Sequence, residues 1–546
     1  MQNPILKDVL NITVSYLQQN YSGAEIKSVN CELQKIFDSE IYSSFHGVKN
    51  YSYEMLQAQL SSINEKESIR KSKGVYYTPS DVVEFMLANC ARLSSGKLKP
   101  NNLHIIDLHG IPYIDFCYEK TVFDPTCGAG EFLLATLNKK FDLLELHHAT
   151  ITKGKIHKVL KTIKGNDLNP DSVVITKVRL FLCILYRFGP KKIEGTAEIM
   201  KGCFDSYDFI MTEPNSRKKY DIIIGNPPYV EDSKSGLNPP NKYGNIYANV
   251  LENSSLHLKK GGVIGFIIPL SYVSTPRMKR IRKALSRHIT EQYILSYSDR
   301  PDCLFASVHQ KLCLLFGRNN ENVSSVFTSN YRYWYKEERK ELFDSAVVVK
   351  NNFLHEDYIP KIGSQLDVQI LSKISKNNTQ LIDLLEVKEG ETPIYVNMRA
   401  TFWIKAFIDK HNSGEYKQFK CLDFNHANLC MCLLNSSLFW WYWVCISDCW
   451  HLTRKELIGF KVPDISVFSK INELAILLEK KLEETKVYVN TKQTDYEYKH
   501  KECVEEIHAI DDYINNLYGL TDEESLYIKN FAFRYRVGGG VVDEGH

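Results

Sequence analysis

The spacing of apolar and polar positions divides the chain into four stretches. Over residues 1–70, "DVLNITVSYLQQ" and "YSYEMLQAQLSSINEKESIRK" repeat apolar residues at helical intervals, with no glycine-rich loop and no strand-like run. This predicts an N-terminal helical segment. From "GVYYTPSDVVEFML" to about Phe316, short apolar runs ("TVFDP", "KGNDL", "DIIIG", "GVIGFIIP", "KLCLLF") alternate with helical stretches, and Gly261-Gly262 reads as a turn before one of them. Alternation of that kind predicts an α/β domain built on a mostly parallel sheet with helices on both faces. "GRNNENVSS", Gly317 to Ser325, is the most polar break in the middle of the chain and closes that domain, giving it residues 71–325. All six tryptophans lie at or after Trp334, which sets off a mixed α/β region over 326–465. Residues 466–546 return to charged amphipathic helix and end in a loose "VGGGVVDEGH".

Composition narrows this picture. At 546 residues the chain is too long for one core, and a prior of ~150 residues per domain gives about three or four. Hydrophobic content of 44% and charged content of 24% exclude a disordered chain. The net charge of +3, from 68 basic and 65 acidic residues, leaves any nucleic-acid contact to local patches. Fourteen cysteines without paired spacing, and a start with no basic leader, long apolar core or cleavage site, point to a reducing, cytoplasmic compartment. The longest apolar run, Leu429 to Ile446, is interrupted by Asn435, Ser436 and Ser437 and predicts a buried helix, so no membrane partner is expected.

Chemistry concentrates in three places. In "TVFDPTCGAGEFLLATL" an apolar strand ends at Asp124, a turn carries Gly128 and Gly130, and a helix begins near Glu131. Strand, glycine turn and helix bring a ligand against backbone amides. The G-x-G-x-x-G spacing of a dinucleotide fold is missing, and Asp124 repels phosphate, so the turn suits a nucleoside without pyrophosphate. In "IKGNDLNPDS" a second strand ends in Asp167, which is placed either to bind both hydroxyls of a ribose or to cap the next helix. In "YDIIIGNPPYVEDS" a buried strand stops at Gly225-Asn226-Pro227-Pro228-Tyr229. The prolines remove two backbone donors and leave the carbonyls of Asn226 and Pro227 with few partners in secondary structure.

In the order "YYTP", "DPTCGAGEF", "NDLNP", "NPPY", followed by a large C-terminal region, the chain resembles S-adenosylmethionine-dependent methyltransferases. It is most similar to N6-adenine DNA methyltransferases of restriction-modification systems in which target recognition follows catalysis. The resemblance covers roughly residues 71–325 and implies a Rossmann-like catalytic domain there, a target-recognition domain over 326–465 and S-adenosylmethionine as cofactor. Thr78 would contact the methionine carboxylate. The loop from Asp124, with Thr126, Cys127, Gly128 and Gly130, would bound the methionine part. Asp167 and Leu168 would meet the ribose side. The residue near the cofactor's adenine amino group would be Asp205, with Cys203 as the competing position. Asn226, Pro227, Pro228 and Tyr229 would be catalytic. An exocyclic amino group is a poor nucleophile because its lone pair is delocalised, and two carbonyl acceptors draw it toward tetrahedral geometry. Tyr229 would stack on the base, a contact worth ~1–3 kcal/mol.

Such a base must leave the duplex, at a cost of about a few kcal/mol. In the family an aromatic packs edgewise against it, and Phe305 in "CLFASVHQKLCLLF" stands at the matching position. "TPRMKRIRKALSRH" gathers Arg277, Lys279, Arg280, Arg282, Lys283 and Arg287, and the first three are the candidates for DNA phosphate. Asn397, Arg399, Asp448, His451 and Arg454 are candidates for reading base edges. Cys430, Cys432, Cys445, Cys449 and His451 lack zinc-knuckle spacing, and no metal is expected. The expected partner is double-stranded DNA. The 70 residues before "GVYYTP" are too few for a nuclease domain, so cleavage would belong to a separately encoded restriction endonuclease. Two rivals stand beside this reading: a methyltransferase acting on a planar amine or amide in RNA or protein, and a non-catalytic DNA-specificity subunit.

Overall fold

The computed structural model describes residues 3–38, 51–63, 78–101, 103, 119–211, 218–305, 309–321, 324–344, 346–410, 414–491 and 494–538. Residues 104–118, Tyr76 and Tyr77 of "YYTP" and the end of the tail lie outside the described residues. Its centre is a nine-stranded sheet in the order β3-β2-β1-β4-β5-β7-β6-β8-β9. The strands are β1 (Val122–Asp124), β2 (Ile163–Asn166), β3 (Phe204–Asp205), β4 (Tyr220–Gly225), β5 (Leu258–Pro269), β6 (Glu291–Tyr297), β7 (Leu312–Arg318), β8 (Ser325–Arg332) and β9 (Val349–Lys350). β3 through β5 pair parallel, β7 lies antiparallel between β5 and β6, and β8 returns parallel to β6.

The central strands are apolar on both faces because each face has its own cover. Ile222 and Ile224 of β4, with Val263 and Ile267 of β5, join a cluster that includes Val82, Phe85 and Met86 from helix α4 (Ser80–Ser94). The alternate residues Ile223, Ile264, Phe266 and Ile268 join a second cluster. A period of two thus sorts one apolar run between two covers. Three N-terminal helices, α1 (Pro4–Asn20), α2 (Gly23–Phe37) and α3 (Tyr53–Ser62), pack in a third cluster with α5 (Glu131–His147) and α6 (Pro170–Phe188).

Four expectations are corrected. The sheet does not close before 325: β8 begins at Ser325 and pairs with β6, so the strands of this sheet continue to Lys350. A polar break marks a surface loop and cannot reveal that a later strand returns to the same sheet. β6, "EQYILSY", belongs to the sheet although it was absent from the predicted strands. Gly261 and Gly262 lie inside β5, where pairing jumps from Tyr220–Leu258 to Ile222–Val263 and Gly261 takes φ +73°. The run Leu429–Ile446 is two helices, Phe424–Asn435 and Ser437–Ile446, bent by 61°. Every residue of the second is buried, and among the described residues no single helix is long and apolar enough to cross a membrane.

One apolar cluster runs from Phe123 of β1 through Trp440, Trp441 and Trp443 to Ile528 near the C-terminus. The sheet and the tryptophan-rich region therefore share a core. Thermal unfolding followed by tryptophan fluorescence, which reports only on residues from Trp334 onward, is expected to share its midpoint with far-ultraviolet circular dichroism of the whole chain. Separate midpoints would show two independent folding units.

Candidate active site

Strand order reverses between β1 and β4: β2 and β3 lie to one side of β1, and β5 lies beyond β4. At such a switch point the connections leave in opposite directions and open a crevice at the carboxyl ends of the strands. Asp124, Asn166, Asp205 and Gly225 end β1, β2, β3 and β4, so the three sequence motifs converge on one edge.

The glycine turn after β1 is held on every side. Cys127 N donates to the Asn166 carbonyl at 2.8 Å, Gly130 N to the Cys127 carbonyl at 2.7 Å, and Gly128 N to Asp167 Oδ2 at 2.9 Å. Gly128 and Gly130 have φ +54° and +85°, a region that costs other residues about 1–2 kcal/mol. A Cβ at Gly130 would stand 2.8 Å from the Thr176 side chain, whereas one at Gly128 would meet nothing within 4 Å. Asp124 is buried and accepts from Thr126 N at 3.0 Å. Burial, with a further push from Asp167, holds its carboxyl well above the ordinary carboxylate range. Burial raises the Cys127 thiol in the same way, which leaves it un-ionised and no nucleophile.

On the other side of the crevice, Asn226 is fixed at both ends of its amide. Its Nδ2 donates to Thr78 Oγ1 at 3.2 Å, and its Oδ1 accepts from the Tyr229 hydroxyl. That hydroxyl also lies 3.0 Å from the Ile267 carbonyl of β5. Tyr229 packs partly buried between two clusters, one of which contains Phe305. A side chain at Gly225 would meet Asp124 Oδ1 at 2.7 Å, so Asp124 lies directly against the residue before Asn226.

Asp167 divides its carboxylate between Gly128 N at 2.9 Å and Asn169 N at 2.8 Å and so braces the glycine turn, while the cap of α6 is the next polar residue, Asn169, whose Oδ1 accepts from Asp171 N at 3.1 Å. Leu168 beside it is 56% exposed. Asp205, paired in register with Asn166, takes the end of β3 and bonds Lys218 at 3.0 Å, while Cys203 lies before the strand and is buried. The phosphate candidates are less uniform than their spacing implies. Arg277 and Arg280 are exposed, the first against Gly244 and the second over the Tyr243 ring at 5.6 Å, and Lys279 pairs with Glu356 at 2.5 Å. Arg282 is corrected from the basic surface to the core, where it donates to the carbonyls of Tyr272, Thr275 and Glu356. Phe305 is 2% exposed within the core. Among the described residues no group of His, Cys, Asp and Glu is placed to hold a metal.

Sequence reading missed Asn166. It is buried, donates to the carbonyls of Pro125 and Tyr207 at 3.1 Å each, and accepts from Tyr207 N at 3.1 Å. One amide thereby ties the loops after β1, β2 and β3 together. Its signal was a polar residue at the end of β2, one position before the acid.

The model of the Eco57I restriction-modification methylase family matches residues 161–302. The chain is 28% identical over 143 residues to the type II restriction enzyme and methyltransferase RM.Eco57I of Escherichia coli, covering 23% of this chain and 14% of that one. It is 26% identical over 293 residues to the type II methyltransferase M.BanIII of Aneurinibacillus aneurinilyticus, covering 50% and 44%. It therefore spans less than half the length of either relative. Among solved structures, the type IIL restriction-modification enzyme MmeI in complex with DNA matches with a TM-score of 0.50 at 11% identity, over 97% of this chain and 94% of that one. The chain shares the α/β fold of that enzyme, built on a mostly parallel sheet.

S-adenosylmethionine is the cofactor that this fold and the matched methylase family imply, and the residues fit it. The open space beside Gly128 leaves room for a ligand, Thr126 Oγ1 is buried without a hydrogen-bond partner among the described residues, and two carboxylates border the turn. Thr126 and Asp124 would hold the methionine part and Asp167 the ribose. A carboxyl whose pKa is raised by folding costs stability once pH passes the ordinary carboxylate range, and below that range the cost vanishes. Asp124→Asn is accordingly expected to raise the melting temperature of the ligand-free protein at neutral pH and to leave it unchanged in acid. The same variant is expected to shrink the rise in melting temperature that S-adenosylmethionine gives the parent. A lower melting temperature at neutral pH would contradict this.

Proposed function

We propose that the chain is a DNA methyltransferase of the restriction-modification kind, which methylates the N6 amino group of an adenine flipped out of duplex DNA. The observation that carries this reading is the fixed Asn226 amide, followed by two prolines and Tyr229, one residue beyond the point where Asp124 and β4 touch. Bound in the crevice, S-adenosylmethionine supplies an electrophilic methyl on a sulfonium. Thr78 holds Asn226 Nδ2, so Oδ1 is directed to the side where an amino group would sit. Oδ1 and the Pro227 carbonyl accept the two amino hydrogens, which localises the nitrogen lone pair toward the methyl. Tyr229 shares its hydroxyl with Asn226 and Ile267 in the base-free state, and its ring is the stacking surface once a base enters. Transfer would be a direct displacement, the N–CH3 bond forming as the S–CH3 bond breaks and the cofactor leaves as the thioether S-adenosylhomocysteine, with the amino proton then lost to solvent.

Asp205 at the end of β3 is the residue for the cofactor's adenine amino group. Arg277 and Arg280, both exposed, are the candidates for phosphate, with Lys279 available once its pair with Glu356 opens. Phe305, 2% exposed, would have to be uncovered before it could flank the base. Double-stranded DNA is the partner.

Labelled methyl from S-adenosylmethionine, offered to mixed-sequence duplex DNA with nucleoside analysis of the product, tests the reading. N6-methyladenine is expected, and Asn226→Ala is expected to lower kcat by about 10²–10³-fold, the usual effect of deleting one preorganised polar group at a reacting centre. Label in cytosine would overturn the base assignment. Label only in RNA or protein would overturn the substrate.

A further inference from the structure

Beneath the glycine turn lies a polar cluster that the proposed chemistry does not use. Arg179, on α6, is 3% exposed. Its Nη1 donates to the Ala129 carbonyl at 2.7 Å and to the Glu131 carboxylate at the start of α5. Its Nε donates to Gln57 Oε1 at 3.0 Å, and Gln57 Nε2 returns a bond to the Arg179 carbonyl at 3.1 Å. Ser61, one turn further along α3, donates to the same Glu131 carboxylate at 2.5 Å. Thr176, one turn before Arg179, donates to the Gly128 carbonyl at 2.9 Å.

Two successive carbonyls of the turn, Gly128 and Ala129, are therefore captured by one face of α6. A trans peptide is planar, with its N–H opposite its C=O, so fixing those carbonyls also fixes the N–H groups of Ala129 and Gly130. Gly130 N is used inside the turn, and Ala129 N is aimed to the side opposite α6. The grip of α6 depends in turn on α3, because Gln57 supplies the acceptor for a buried guanidinium N–H that would otherwise be left unpaired. No other helix of the N-terminal segment bonds this cluster among the described residues.

We propose that α3 belongs to the cofactor site at one remove: Gln57 and Ser61 lock Arg179 and Glu131, and Arg179 acts as the positioning residue that sets the glycine turn. The N-terminal segment is on this account a determinant of cofactor affinity and not of DNA binding. The proposal rests on the reading of the turn as the S-adenosylmethionine site. Loss of the Gln57 acceptor lets the guanidinium shift or hydrate, the turn loosens, and ligand binding must then order it.

The test uses the full chain with Gln57→Leu, which keeps bulk but removes both hydrogen bonds to Arg179 and the one to the Tyr53 hydroxyl, Gln57→Glu, which keeps the acceptor for Arg179 Nε, and Ser61→Ala as a milder third variant. S-adenosylhomocysteine binding by calorimetry, the KM for S-adenosylmethionine, kcat, duplex DNA affinity and melting temperature are measured on each. Gln57→Leu is expected to raise the cofactor Kd and KM about tenfold, equivalent to about 1.4 kcal/mol, with kcat and DNA affinity within about twofold of the parent. Gln57→Glu is expected to restore most of the affinity, and Ser61→Ala to fall between. Parental cofactor affinity in both Gln57→Leu and Ser61→Ala would overturn the proposal. So would a parallel loss of cofactor and DNA binding, which marks a general folding role. If the parent itself fails to bind S-adenosylhomocysteine, the cofactor reading falls and this proposal falls with it, an outcome distinct from a binding parent with unaffected variants.

Discussion

The contact between the Asp124 carboxylate and the bare Cα of Gly225 sets the geometry on which the site depends. β1 and β4 are parallel neighbours, and at their carboxyl ends only a residue without a side chain lets the acid of one lie against the other. Because Gly225 directly precedes Asn226, the acid that borders one half of the crevice and the amide that borders the other differ by a single step along β4. The same closeness buries the carboxylate and raises its pKa, so the fold holds there a group that water would stabilise better. Stability yielded at a site of this kind is recovered elsewhere in the molecule.

It is recovered in an unusually shared core. The apolar cluster on one face of the sheet continues without interruption into the tryptophan-rich helices, and Arg536 near the C-terminus lies between the rings of Trp403 and Trp440 at 4.0 and 4.3 Å. The two faces of the sheet thus have different tasks. One is closed by α4, and the other by the helix Ile246–Leu256 over β5, with the helix Ser437–Ile446, in the region that the family resemblance assigns to target recognition, against β8. A recognition region seated on the sheet in this way would have its orientation fixed relative to Asn226, which suits a reaction in which the acceptor nitrogen must be aimed.

Local features of the site were legible in the sequence because local chemistry makes them. Strand ends at Asp124 and Gly225, the positive-φ glycines of the turn and the proline-stiffened segment all follow from residues within a few positions of one another. What escaped depends on partners far along the chain. β8 is recognisable as part of the sheet only through β6, and the break at 317–325 gives no sign of it. Arg282 is spaced like its exposed neighbours, yet carbonyls from Tyr272 and Glu356 draw it inward. Asn166 and Arg179 look like incidental polar residues until the loops they brace are seen together.

Amide hydrogen exchange of the whole protein with and without saturating S-adenosylhomocysteine tests the central claim most directly, since it needs neither a known acceptor nor turnover. The account predicts added protection concentrated in peptides covering 124–130 and 165–169, the turns after β1 and β2. Binding without protection there, or protection confined to another part of the chain, would contradict it.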